Sequence, residues 1–547
     1  MDLEPDEIEN NIDLIVSNLQ GSNANNCFSS FKCLSLTDVE ELLISVKKKI
    51  SSLDPVPIFL ITEFMDLLYP IIQHIINDSI SSGSFPDLLK IACISPILKS
   101  YLLDPELFQS FRPISSLPFL SKPVEGNIHN QLNTYLEQNN YYSKYQSAYR
   151  RNHSCETSLF KLIDDIQQHQ SQGNNTILIL LDQSAAFDTI DHKILLNKLQ
   201  HKFKITGNAL KLLKSYLEDR YFSVKVKNSL SSEKKLSYGV PQGSLLGPLF
   251  YILYVDELEE IVAKYDFSVL IYADDCQLYA PFNVNNIHEI EAKLENCLKE
   301  LKNWMTNNYL MLNKDKTLVK IFWNNVSRMP KINKFLNFNI NNNVKVLGVS
   351  LEDSFDFNSF IAKKVITCNM HLRNLINVKN SLDEKTRILM VSNLILSTLD
   401  YCNVLLLLCN DKQLKPLRLI INRSLRFIYN VRFRAHITPY YQKSHFLPIK
   451  KRIKFKGCLM AYKIFYRIAP KYLEEKVVRF SPNIKHMQLR EVTGGRDKYM
   501  FVVNDPKEKS LVNRMKLDWN GLPLDMRRCI SITTFKTRLK SKLLLET

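Results

Sequence analysis

The chain has 547 residues, 45% of them hydrophobic and 23% charged. These are the proportions of ordinary folded protein; they exclude a disordered tail or a collagen-like fibre and leave room for three or four domains of roughly 150 residues. The formal charge of +17 is concentrated late: residues 361–547 hold 38 Lys and Arg against 13 Asp and Glu, whereas residues 1–360 hold 34 against 42.

Along the chain, residues 1–34 are polar and Asn-rich and are expected to be disordered. Over SLTDVEELLISVKKKI the apolar residues recur at spacings of three and four, which predicts a helical leader (35–78) opened by Ser35 or Thr37 as cap, with a second helix from Phe59 to Ile80. SSGSFPDLLK turns into a strand at ACISPILK, and FRPISSLPFLSKPVE reads as proline-punctuated loop and helix start. Residues 127–138 and 156–170 read as helices. TILILLD is an apolar run closed by an acid, the pattern of a buried strand. Asp191 caps the helix of KILLNKLQHKF, and YFSVKVKN alternates as a strand with KKLSYGV as its partner. GVPQGSLLGPLFYILYVDELEEIV is a glycine loop running into a helix, and SVLIYADDCQLYA is two apolar half-strands around a pair of acids. Residues 287–306 form an amphipathic helix; TLVKIFW and VKVLGVSLED are further strands. Beyond Phe355 the pattern is mainly helical and increasingly basic. The fold class is therefore α+β with an antiparallel sheet.

The 11 cysteines show no CxxC pair and no His pair at zinc spacing. Reduced thiols are expected, in an intracellular protein of nucleus or cytoplasm that is not secreted. The acidic start MDLEPDEIENN is no signal or transit peptide. The stretch from Leu394 to Cys409 is apolar but short and holds Asp400, so it reads as a buried helix and no membrane partner is expected. A one-sided basic surface meets polyanions, here nucleic acid in preference to an anionic membrane, unless it only solubilises the chain.

Candidate chemistry begins at Asp274 and Asp275. Adjacent carboxylates repel and raise each other's pKa, a cost that a bound divalent cation removes; two solvated acids in a surface turn would look the same. Asp182 closes a buried strand, either as a catalytic acid or as a mark of the strand's exit. Asp188 and Asp191 fit a turn and a helix cap. Carboxylates on neighbouring strands can hold two Mg²⁺ ions for phosphoryl transfer. Only 13 glycines occur in the chain, yet Gly239, Gly243 and Gly247 fall together. Gly243 permits close backbone approach, and Gln242 offers an amide that both donates and accepts.

In this order and spacing, LLDQSAAFDTIDH, GVPQGSLLGPLFY, YADD, LNKDKT and VLGV resemble the successive motifs of a reverse transcriptase. FPDLLKIACISPILK, FRPISSLPFLSKPVE and QSAYRRNHS upstream resemble the fingers of non-LTR retrotransposon polymerases of the jockey-like kind. HITPYYQKSHFLPIKKRIKFK, APKYL and WNGLPLDM continue the resemblance downstream, so that it covers residues 35–545. It implies a right-hand polymerase fold of fingers, palm and helical thumb. It also implies RNA-directed DNA synthesis from dNTPs onto a primer 3′-hydroxyl, with an RNA template and a DNA primer or target as partners. Asp182, Asp274 and Asp275 match the metal ligands, for two Mg²⁺. Gln183 matches a position whose carbonyl helps hold one metal. Phe187 matches the aromatic gate against a ribose 2′-hydroxyl, and Gln242 and Gly243 the template and nucleotide contact. Lys316 matches a general acid for pyrophosphate departure, Arg112 and Arg150 basic finger residues that meet the triphosphate, and Leu347, Gly348 and Val349 the primer grip.

The sequence departs from the family at Gln183, where an aliphatic residue is common, at Ala185 or Ala186, where Lys is frequent, and at Gly126, where the residue is usually larger. Only residues 1–84 precede FPDLLK, so the endonuclease domain of autonomous elements is expected to be lacking, and no RNase H segment is recognisable. The expected layout is fingers and palm over 79–352, thumb over 353–430, and a basic, separable C-terminal extension over 431–547 whose removal leaves the palm folded. Within the basic residues 361–547, interleaved Phe427, Tyr429, Phe433 and Phe455 are candidates for stacking on bases, some of them as core. The competing expectation is an inactive or domesticated element-derived protein that binds nucleic acid without polymerising.

Overall fold

The computed structural model describes residues 27–45, 51–184, 187–313, 316–324, 334–335, 338–479, 499–503, 505 and 510–546. The disorder expected for residues 1–26, and the expectations on Ala185, Ala186 and the Lys-Asp pair 314–315 of LNKDKT, lie outside the described residues. The chain forms two compact units, each assembled from separated stretches: 1–146, 182–264 and 296–313 in the first, and 147–181, 265–295 and 314–547 in the second.

In the first unit, residues 27–34 are ordered, against the disorder expected up to residue 34. The Phe28 N–H donates to the Lys204 carbonyl at 3.0 Å and the Thr206 N–H donates back to Phe28 at 2.9 Å. The Phe28 ring lies 5.0 Å from those of Phe31 and Tyr135. Two phenylalanines in a polar stretch supply the apolar area that its average composition hides. Ser35 proves to be the cap of helix Leu36–Ser45: its N–H and hydroxyl donate to the Asp38 carboxylate at 2.8 and 2.6 Å. The single helix expected from Phe59 is two, Ile58–Glu63 and Met65–Ser82, divided where Phe64 leaves helical dihedrals.

Strand Ile91–Leu98 pairs antiparallel with Phe111–Ser116 and parallel with Tyr221–Val226, which also takes Lys234–Lys235 as an antiparallel neighbour. FRPISS is thus a strand and not the expected loop. The register explains how its proline is tolerated. The Lys99 N–H donates to Ser110 at 2.8 Å, so alternate rungs from there are the hydrogen-bonded ones. Pro96 faces Pro113 at a rung of the other kind, where neither missing donor is needed by the pair. Helix Ser121–Gln138 starts earlier than expected, with Pro123 in its first turn, where a missing N–H costs nothing. The glycine loop runs into two helices, Leu246–Tyr254 and Leu258–Ala263.

The second unit is built on a four-stranded antiparallel sheet in the order Leu318–Phe322, Asn175–Leu181, Asp275–Phe282, Ser268–Tyr272. Ile177, Leu178, Ile179 and Leu181 of the central strand are all buried, as the continuous apolar run predicted. Helix Cys155–Ser171 covers this strand.

The later helices belong to the same unit. The stretch expected as one buried helix is a π-helical turn, Val391–Leu396, a short helix, Ser397–Asp400, and a 3-10 segment, Asn403–Leu408, broken at Cys402 with φ 48°. Among the described residues no helix is long and apolar enough to cross a membrane. Helix Ile449–Phe465 packs on Asn403–Leu408 and on helix Leu511–Asn520, and Arg452 grips the Asp400 carboxylate through two of its nitrogens. The described helices Ile449–Phe465 and Leu511–Asn520 therefore belong to a common core, where a separable extension was expected.

Their deepest tie is ionic. On helix Cys155–Ser171, Asp164 (side chain 1% exposed) and Asp165 receive the ammonium of Lys476 at 2.6 and 2.5 Å. Lys161 reaches Asp165 at 2.5 Å and the Tyr279 hydroxyl of the sheet at 3.2 Å. Burial pushes the Asp165 carboxyl up, but Lys476 and Lys161 outweigh it and hold it below its usual value. Two buried carboxylates need both cations. Lys476→Ala should destabilise the second unit by about 3–5 kcal/mol, read from denaturant unfolding. Deletion of 431–547 should prevent folding of the sheet, contrary to the expectation from sequence; a soluble, cooperatively unfolding deletion product would show the tie to be dispensable.

Candidate polymerase site

In the first unit, the chain beyond Leu181 is fastened from two sides, by residues 311–313 and by Tyr251. The Asp182 carbonyl accepts the Asn313 N–H at 2.9 Å, and Gln183–Ser184 pairs antiparallel with Met311–Leu312. Gln183 is buried, and its side-chain oxygen accepts the Tyr251 hydroxyl at 2.7 Å. The Phe187 ring stacks on Tyr251, centroids 4.8 Å apart and planes at 28°. Tyr251 sits fully buried on helix Leu246–Tyr254, so a single ring backs the candidate gate and its hydroxyl holds the residue beside Asp182. Sequence reasoning passed over it; the signal was one of two tyrosine hydroxyls, with that of Tyr254, on an otherwise apolar helix.

The glycine loop threads between two neighbours. Gly239, at φ 76°, donates its N–H to Ile190 at 2.8 Å, and Val240 donates to Phe187 at 3.0 Å. His192 Nε2 lies 2.7 Å from the Gly239 carbonyl. A Cβ on Gly239 would stand 2.8 Å from the Asp188 backbone, and one on Gly243 (φ 134°) 2.5 Å from the Ser115 carbonyl oxygen. The Gln242 carbonyl accepts the Ser115 N–H at 2.8 Å, and its side-chain amide donates to Asp188 at 2.8 Å. Asp188 thus has a structural role, as does Asp191, which caps the Ile194 N–H at 2.9 Å. Arg112 is exposed on strand Phe111–Ser116. Glu125, also missed, is fully buried: its carboxylate accepts the Ser121 hydroxyl at 2.7 Å and the Leu245 N–H at 2.5 Å, just ahead of helix Leu246–Tyr254. Burial raises its pKa, partly offset by Ser121 and the Arg220 charge.

In the second unit, the two acids form the end of a tight hairpin. Tyr272 pairs with Asp275, leaving Ala273 (φ 56°) and Asp274 as the two-residue tip. Asp274 is half-buried and Asp275 exposed. Across the sheet, Leu181 pairs with Cys276; Asp182 is the next residue along the chain, and it belongs to the first unit. The segment carrying Arg150 is pinned to the hairpin, because the Ser147 N–H donates to Ile271 at 2.8 Å. Burial and the Asp274 charge raise the Tyr149 phenol. Burial and the Arg150 charge push His153 down to about 4. Lys316 is exposed just before strand Leu318–Phe322, and Leu347–Gly348 is the turn between Val344–Val346 and Val349–Leu351. Among the described residues, no three His, Cys, Asp or Glu side chains are clustered so as to hold a metal ion.

Residues 99–351 match the family described as reverse transcriptase (RNA-dependent DNA polymerase). The probable RNA-directed DNA polymerase from transposon BS of Drosophila melanogaster is 32% identical over 243 residues, 44% of this chain and 26% of that protein. The RNA-directed DNA polymerase from mobile element jockey of the same species is 28% identical over 295 residues, 52% of this chain and 31% of that protein. Its counterpart from Drosophila funebris is 29% identical over 339 residues, 60% of this chain and 36% of that protein. The chain spans between about a quarter and about a third of the length of these relatives.

Two glycines in the matched stretch separate strain from contact. At Gly173 (φ 84°) a Cβ would meet nothing within 4 Å, whereas at Gly239 it would meet the Asp188 backbone. Gly173→Ala should cost only the left-handed strain, about 1–2 kcal/mol. Gly239→Ala should cost clearly more and should disturb the Phe187 loop as well. Equal unfolding midpoints for the two variants would show that the loop yields to the extra carbon.

Proposed function

We propose that the reverse transcriptase domain carried by residues 99–351 is an RNA-directed DNA polymerase, extending a primer 3′-hydroxyl with deoxynucleotides on an RNA template as part of a non-LTR retrotransposon. The family match supports the activity. The observation that carries the site is the hairpin Tyr272–Asp275, which ends an antiparallel sheet in two adjacent carboxylates beside the strand that leads into Asp182.

Asp182, Asp274 and Asp275 would hold two Mg²⁺, with the Gln183 carbonyl assisting. The donor set fits in kind: Mg²⁺ takes hard oxygen ligands, a few carboxylates completed by water and substrate phosphates. When bound, the ions supply Lewis acidity at the primer hydroxyl and at the leaving pyrophosphate. The remaining work belongs to side chains. Phe187, backed by Tyr251, would fill the space a ribose 2′-hydroxyl needs. Gln242 and Gly243 would contact template and nucleotide, with Asp188 holding the Gln242 amide in place beforehand. Arg112 and Arg150 would neutralise triphosphate oxygens, Lys316 would donate a proton to departing pyrophosphate, and the turn Leu347–Gly348–Val349 would grip the primer. The 11 free cysteines support a reducing, intracellular setting, nuclear or cytoplasmic.

Asp182→Ala and Asp274→Ala should each lower primer extension by about 10³-fold or more while binding of primed RNA persists, since carboxylates act on transition-state charge and phosphate contacts carry affinity. Extension at wild-type rate by either variant would show the site to be elsewhere. A wild-type protein that binds primed RNA and extends nothing would leave the non-polymerising reading.

The late basic residues would contact the template. Phe427 is buried and Tyr429 packs on Tyr440, so these two serve the core and Phe455 is half-buried. Phe433 is 84% exposed beside Arg426. Lys415 and Arg418 on helix Asp411–Tyr429, and Arg432 and Arg434 just beyond it, are all exposed. Replacing these four by Gln should reduce the slope of log affinity against log salt by about 0.7 per lost phosphate contact on single-stranded RNA. An unchanged slope would mean that this surface only solvates the protein.

A further inference from the structure

The turn proposed to grip the primer is held from outside its own hairpin. Val346 pairs with Val349, and the two residues between them, Leu347 (φ 45°) and Gly348 (φ 81°), both lie in the left-handed region. This is the backbone of a type I′ turn, for which Asn-Gly is a favoured pair. Gly348 meets the requirement without strain. Leu347 does not, and such a residue persists only where its surroundings hold it.

Three observations identify the holder. The Tyr401 hydroxyl donates to the Leu347 carbonyl at 2.6 Å. A Cβ on Gly348 would come 3.4 Å from the Tyr401 hydroxyl oxygen and 3.5 Å from its ring, so the ring lies against the turn. Tyr401 is itself fixed through its backbone: Lys364, only 4% exposed, donates to the carbonyls of Thr398 (2.6 Å), Leu399 (3.3 Å) and Tyr401 (2.7 Å). These carbonyls close the short helix Ser397–Asp400, after which Cys402 turns left-handed. The same ammonium lies 5.8 Å from the centre of the Tyr401 ring. Tyr401 is 42% exposed, and the partial burial of its phenol raises its pKa, so it remains a protonated donor.

We propose that Tyr401 is a positioning residue for the primer strand: its hydroxyl locks the Leu347–Gly348 turn in the conformation that presents the primer terminus, and Lys364 holds Tyr401. The inference rests on the primer-grip reading of that turn, and the experiment separates the two.

Single-turnover extension of a DNA-primed RNA template by the full chain is the measurement, with the melting temperature followed alongside. Tyr401→Phe keeps the ring and removes the donor. The rate at saturating deoxynucleotide should fall about five- to tenfold, the order expected for one lost hydrogen bond, while the KM for deoxynucleotide and the melting temperature barely move. In a Leu347→Gly background the turn no longer needs a holder, and the same substitution should cost less than about twofold. A Tyr401→Phe protein that extends at the wild-type rate, or an equal loss in both backgrounds, overturns the proposal. Gly348→Val forces a β-branched residue to φ 81° and disrupts the turn itself. If Gly348→Val extends normally, the turn does not handle primer, and the grip reading and the proposal fall together. If it abolishes extension while Tyr401→Phe leaves the rate intact, the grip reading stands and the role of Tyr401 falls.

Discussion

Four buried charges and a phenol determine what the second unit can be. Asp164 and Asp165 sit on the face of helix Cys155–Ser171 that turns away from water, where a buried charge needs an opposite partner. Lys476 answers both, and Lys161 links Asp165 to Tyr279 of the sheet. Next to this network the Tyr472 hydroxyl meets Ser147 at 3.0 Å and Thr157 at 3.1 Å, and the Val512 N–H reaches Asp164 at 3.3 Å. The late helices are thereby tied to the helix that covers the strand leading to Asp182. A surface pair would tolerate the loss of one partner; this one leaves an uncompensated charge whichever member is removed.

The first unit depends on backbone proximity instead. In a chain with only 13 glycines, Gly239 and Gly243 stand where a side-chain carbon would overlap the backbone of a neighbouring segment. The loop they form carries Gln242 and opens helix Leu246–Tyr254, whose Tyr251 backs Phe187. The candidate gate, the candidate nucleotide contact and the strand Phe111–Ser116 therefore share one piece of packing. Glu125 holds the helix start from below by accepting the Leu245 N–H.

Much of this was legible along the chain because its causes are local. TILILL announces a buried strand, the two acids between SVLIYA and CQLYA announce a hairpin, and Ser35 and Asp191 cap helices by hydrogen bonds spanning three residues. What escaped depends on partners distant in sequence. FRPISS became a strand because its pairing with Ile91–Leu98 sets Pro113 at a rung where no N–H is needed. Phe28 packs on Tyr135, and Lys476 is buried against two acids more than three hundred residues earlier. That some of the four late aromatics serve the core was expected; that they include Phe427 and Tyr429 follows from which helix face finds a neighbour. Tyr251 and Tyr401 look like ordinary core aromatics until the acceptors of their hydroxyls are known.

The strand Phe111–Ser116 lies at the rim of its sheet, where unpaired N–H groups invite another chain to add itself. On its outward rungs Ser115 has given its N–H to Gln242, and Pro113 has none to give. Exposed Ile97, Tyr101, Leu102 and Phe108 lie on the same hairpin, so an open rim would be an adhesive one. The proline that hides this strand from sequence reading is thus also what denies foreign strands a template, and the glycine loop seals the position next to it. Protection against self-association and construction of the nucleotide site are, at this rim, one arrangement of atoms.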